Sequence, residues 1–155
     1  SRCTTIKFFL LIAALMISHT SHALGPDESY PDVEHDTPLT STELTAAFSG
    51  KSHQGTYNFL TRNISSFAFE ETTQADGGIR HVQQDKVDTG KWSIDDGVIC
   101  YDYDDPALRQ ACFQMFVRGN CYYHYQVSTE GRIRHGFTAR SVIQGETPNC
   151  EPSFV

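Results

Sequence analysis

The chain has 155 residues, a formal net charge of −7, five cysteines and 39% hydrophobic residues. It is too short for two full-sized domains, since about 100–200 residues per domain is usual. Its apolar content and 12% aromatics exclude disorder throughout, and its acidity argues against a nucleic-acid partner, which needs a basic patch.

The first element is a targeting segment. Arg2 and Lys7 precede an apolar run from Phe8 to Ile17, and small Ser21 and Ala23 occupy the −3 and −1 positions of a cleavage site. That is the order of a secretory signal peptide over residues 1–23. As a membrane anchor the run is too short, because ten residues rise only about 15 Å as a helix, roughly half a bilayer core. Cleavage after Ala23 is expected, with export to the periplasm or the exterior and no membrane span left. It leaves 132 residues at net charge −9 and removes Cys3. Cys100, Cys112, Cys121 and Cys150 remain, an even number in an oxidising compartment, which predicts two disulfides. Their gaps of 12, 9 and 29 residues match no zinc pattern.

Residues 24–38 are polar and acidic, with three prolines, and read as a flexible leader. Residues 39–155 are expected to form a single β-rich domain. It opens on a short helix. Thr40 stands three residues before Glu43, the capping-box spacing. Leu44, Ala47 and Phe48 give one apolar face and Gly50 the stop. Strands and turns follow from Gly55. Tyr57 and Phe59 alternate with polar neighbours, Phe67 to Phe69 mark a second strand, and Ile79 to Gln83 a third. Trp92 and Ile94 then lead through Asp95-Asp96-Gly97 into Val98-Ile99-Cys100-Tyr101, a hairpin signature. The acidic stretch Asp102 to Asp105 could hold a metal. The competing reading is preferred, in which Asp105 is an N-cap, Pro106 the first helical position, and one helical turn runs to Arg109.

Two more hairpins can be registered by hydrophobic matching. With Arg118-Gly119-Asn120 as a three-residue loop, Val117 faces Cys121, Met115 faces Tyr123 and Phe113 faces Tyr125. With Thr129-Glu130-Gly131 as the next loop, Val127 faces Ile133, Tyr125 faces His135 and Tyr123 faces Phe137. This register keeps His124 and His135 on opposite faces and disfavours a histidine metal pair. It puts Cys112 opposite Gln126, about five residues or roughly 16 Å from Cys121, too far for a disulfide. Two connectivities remain. Cys100–Cys112 with Cys121–Cys150 is preferred, because one bridge closes the acidic loop and the other ties down the tail.

The fold class expected is mainly β: an antiparallel meander forming a small barrel or strongly bent sheet, with one short N-terminal helix and disulfide staples. The inward set would be Phe59, Phe69, Trp92, Met115, Tyr123, Tyr125 and Phe137, bulky enough to fill the interior.

The order Gly90-Lys91-Trp92, Gly97-Val98-Ile99-Cys100, Cys112, Gly119, Tyr122, with the helix from Leu39 to Lys51 upstream, resembles a family of small exported proteobacterial proteins, domain of unknown function 995. The resemblance covers roughly residues 39–137. It implies export and a compact β-rich domain, and it supplies no activity or catalytic residue. Cys121 and Cys150 lie outside the shared pattern.

No enzyme signature is visible. Ser, His and Asp are present without a local nucleophile motif. There is no phosphate loop or dinucleotide fingerprint, and no cofactor is indicated. Glu70 and Glu71 are adjacent, so in a strand they point to opposite faces. The histidines are isolated in sequence and read as surface side chains. Tyr122, His124, Arg132 and Arg134 are the candidate ligand or interaction surface. Two functions follow: a non-enzymatic envelope protein that binds an unknown partner, which is preferred because the bulky inward set would fill the interior, and as the alternative a small barrel that carries an apolar ligand. An enclosed cavity lined by the inward aromatics would favour the second, and an acid–base pair in a cleft would revive an enzyme.

Overall fold

The computed structural model describes residues 30–61, 64 and 66–150; the signal-peptide segment lies outside them. Helix α1 (Ser41–Phe48) is closed at its N-terminus by the predicted capping box. The Thr40 hydroxyl accepts from the Glu43 backbone N–H at 3.2 Å, and the Glu43 carboxylate accepts from the Thr40 backbone N–H at 2.8 Å. Eight strands follow: β1 (Lys51–Tyr57), β2 (Ala68–Thr73), β3 (Gly78–Gln83), β4 (Lys86–Asp95), β5 (Val98–Tyr103), β6 (Ala111–Arg118), β7 (Cys121–Val127) and β8 (Ala139–Ile143). Each pairs antiparallel with the next, and β8 pairs back on β1, so the sheet closes into a barrel. The expected mainly-β, disulfide-stapled fold is the one observed, and its sheet is closed.

Helix α1 plugs one end. Leu44, Ala47 and Phe48 pack into a core with Ile79, Ile99, Tyr101, Phe113 and Met115. Burial of each large apolar side chain contributes roughly 1.5–3 kcal/mol. The plug is tied at both ends by backbone bonds, Leu39 N–H to Met115 C=O and Gly50 N–H to Thr73 C=O. The tight β4–β5 hairpin lies under it: Asp96 and Gly97 both take positive φ, as a two-residue type I′ turn requires, and the Gly97 N–H donates to the Ser41 hydroxyl.

Both disulfides have the preferred connectivity. Cys100 and Cys112 face each other across β5 and β6, with Cα atoms 4.0 Å apart. Cys121–Cys150 ties the tail to the start of β7.

The β6–β7 register differs from the expectation by one residue. The turn has two residues, Gly119 and Asn120, with Arg118 opposite Cys121, Phe116 opposite Tyr123 and Met115 opposite His124. Tyr122 and His124 therefore point inward. Tyr123, Tyr125 and Phe137 lie on the outer face, with Phe116, Cys121 and Val142. That outer face is also dry. Residues 30–36, expected as loose leader, pack across it: the Tyr30 ring meets Phe137 at 5.1 Å, the Tyr125 hydroxyl donates to the Pro31 carbonyl, and Asp36 pairs with Arg118 at 2.7 Å. Strand β7 is buried on both faces, so the hydrophobic match had no single apolar face to find.

In the next hairpin Val127 does face Ile133. Beyond it the chain loops out, and β8 pairs His124 with Ala139 and Tyr123 with Arg140. The expected Tyr125–His135 and Tyr123–Phe137 pairings are replaced, although the Tyr123 and Phe137 rings still meet at 5.1 Å. The helical turn expected from Asp105 to Arg109 is not a helix but a hydrogen-bonded turn that ends at Leu108. The Asp105 carboxylate accepts from the Ala107 N–H as predicted, and the Asp105 carbonyl accepts from the Leu108 N–H.

Candidate ligand-binding site

Alternation along each strand sends every second side chain into the barrel. At the end opposite α1 these side chains enclose a cavity of about 430 Å³. Its wall is aromatic. The Tyr57 and Phe69 rings meet at 4.6 Å, and those of Tyr101 and Phe113 at 5.9 Å. Its mouth is framed by the β1–β2, β5–β6 and β7–β8 connections, which contribute Phe59, Leu108 and Arg134. Phe59, Leu60 and Phe67, all in the β1–β2 connection, are exposed apolar side chains.

A buried carboxylate lies against this cavity. Glu71, inward on β2 with Phe69 and Thr73, is 6% exposed. Its Oε2 accepts from His81 Nδ1 at 2.8 Å and from the Tyr103 hydroxyl at 2.9 Å. The Tyr57 hydroxyl sits 2.8 Å from His81 Nε2, and the Gln83 amide nitrogen 3.3 Å from it. An ionised carboxylate can only accept, which places a proton on His81 Nδ1, toward Glu71. Burial raises the Glu71 pKa, but the His81 and Tyr103 hydrogen bonds outweigh it and hold the carboxyl below its ordinary value. Burial and the Glu71 charge push the Tyr57 and Tyr103 phenols well up.

Two further histidines lie deeper, toward the plug. His53 donates from Nε2 to the Ala47 carbonyl at 2.9 Å and accepts at Nδ1 from the Ser141 hydroxyl at 3.0 Å. His124 Nε2 is 2.8 Å from the same hydroxyl. Burial lowers both imidazoles, His124 to about 3. Among the described residues no group of three or more side chains is arranged to hold a metal.

Tyr122, His124, Arg132 and Arg134 do not form one surface. Tyr122 packs edge-on against Phe48 and His53, and His124 lines the cavity. Arg132 is exposed and pairs with Glu130, and Arg134 stands at the mouth. Sequence reasoning missed Glu71, His81, Tyr57 and Tyr103. The signal was parity: Glu71 shares a face with Phe69, and His81 with Ile79. Reading the histidines as surface residues is corrected for His53, His81 and His124, all buried.

Fold and site define a small disulfide-stapled β-barrel with one end closed by a helix and an aromatic, carboxylate-bearing cavity at the other. Among the described residues no helix is long and apolar enough to cross a membrane. No family model, no curated protein and no solved structure matches the chain.

Proposed function

We propose that this is an exported binding protein that carries a small, largely apolar molecule inside the barrel. The observation that carries the reading is the cavity. Its volume of about 430 Å³ lies within the range of small-molecule sites, about 300–1,000 Å³, and its aromatic side chains stand beside polar groups that could orient a ligand. It weighs for a small-molecule ligand over a protein partner, because the aromatic side chains of the wall face inward. The disulfides and the signal-peptide pattern support an oxidising, extracytoplasmic compartment, periplasmic or extracellular. The order from Gly90 to Tyr122 supports membership of the exported family it resembles, which adds no activity.

A second reading rests on Glu71, His81 and Tyr57. A carboxylate orients an imidazole whose other nitrogen meets a phenol, the arrangement general acid–base chemistry uses. Chemical change of a bound ligand, lost in His81→Asn, would mark an enzyme.

Titration with the fluorescent apolar probe 1-aminoanthracene tests the carrier reading. Saturable binding is expected, weakened about tenfold or more by Ala111→Trp, which intrudes on the cavity wall. No saturable binding to the wild type, or equal binding to the variant, would defeat it.

A further inference from the structure

Among the described residues, the carboxylate in the cavity has no lysine or arginine partner. The one ion-pair contact of Glu71 among them is with His81. An ionised carboxylate away from water is costly unless a positive charge or enough hydrogen bonds compensate it. Its hydrogen bonds from His81 and Tyr103 both end on Oε2. Two more acceptors line the same cavity without partners, the Tyr101 hydroxyl and Thr138 Oγ1. Tyr101 is 2% exposed and Thr138 is 7% exposed. A buried hydroxyl lacking a hydrogen bond is rare in folded proteins and points to a partner that comes from outside.

The rest of the wall fits the same partner. Tyr57, Phe69, Tyr101, Tyr103 and Phe113 present ring faces or edges to the cavity, and aromatic faces attract organic cations, most strongly where water is excluded. The other charged groups on the lining do not neutralise Glu71. Asp88 pairs with Lys86 at 3.3 Å, and Arg109 and Arg134 are exposed at the mouth.

We infer that the ligand is a small organic amine, bound as its cation, with the ammonium group on Glu71 and its apolar body against the tyrosine and phenylalanine rings. An ammonium brings three N–H donors and no acceptor, the complement of a carboxylate oxygen and two unpartnered hydroxyls. The inference rests on the carrier reading and narrows it to one ligand chemistry.

A matched series separates the two. Tryptamine, tryptophol and indole-3-acetate share one aromatic body and carry an ammonium, an alcohol and a carboxylate. Each is titrated calorimetrically at pH 7 into the disulfide-bonded mature protein. Tryptamine is expected to bind about tenfold or more tighter than tryptophol, with indole-3-acetate weakest. Glu71→Gln should bring tryptamine and tryptophol to about the same affinity and leave tryptophol within about twofold of its wild-type value. The wild-type series decides the matter even if that variant fails to fold. Tryptophol or indole-3-acetate binding as tightly as tryptamine would overturn the amine assignment and leave the carrier reading standing. If none of the three binds while 1-aminoanthracene does, the amine assignment again falls alone. If that probe fails too, both fall.

Discussion

His124 lies inside the barrel, where Ser141 and the edges of Phe69 and Phe113 surround its ring. Burial holds its imidazole down to about 3; Glu71 pulls it up, and His53 and His81 push it further down. In the unfolded chain it takes a proton near 6.5. Between those values the unfolded state binds more protons than the folded one, so stability falls as pH falls. From pH 7 to pH 5 His124 alone should remove about 2 kcal/mol. His53, also lowered by burial, acts with the same sign. Glu71 is depressed below its ordinary 4.5 and enters only in more acid solution. Urea unfolding of the wild type should therefore weaken by about that amount between pH 7 and 5, with the raised, exposed His35 acting in the opposite direction, and His124→Gln should recover most of the His124 share. A wild type equally stable at both pH values would contradict the neutral, buried assignment. These side chains are far apart in sequence. Parity could place Glu71 with Phe69 and His81 with Ile79, but only closure of β8 on β1 brings His53 and His124 onto one hydroxyl.

Elements whose signals are local were legible. The Thr40–Glu43 box and the Asp96-Gly97 turn each depend on a few adjacent residues, and both formed as read. The β6–β7 pairing depends on what covers each face. Phe116, Tyr123 and Tyr125 are apolar because residues 30–33 and Phe137 cover them, and nothing in β6 or β7 announces that cover. Gly90 is a case where the glycine has a physical reason. A Cβ there would stand 2.2 Å from the Asp102 carbonyl oxygen and 2.7 Å from the Tyr103 Cα across β4–β5. Both are backbone atoms and cannot swing aside. Gly90→Ala should cost about 2–3 kcal/mol in urea unfolding. A cost below about 0.5 kcal/mol, the usual scatter for a substitution that disturbs nothing, would contradict the close approach.

At the scale of the molecule, the expectation that bulky side chains fill the barrel was half met. Around α1 they do, with Leu44, Phe48, Ile99 and Met115 fully buried. At the other end the register slip matters. It takes Tyr123 and Tyr125 out of the interior and brings His124 in, so the barrel keeps an open-ended space that the sequence reading had filled. Closure was legible only as an alternative to a bent sheet, because pairing of β1 with β8 joins segments about 90 residues apart. The carrier function stands or falls with that space. Native mass spectrometry of the mature protein, recovered under non-denaturing conditions from the host that makes it, tests it most directly. A non-covalent adduct of small-molecule mass is expected, about one per chain, released on unfolding. A chain recovered without such an adduct, in stoichiometric complex with another protein, would contradict it.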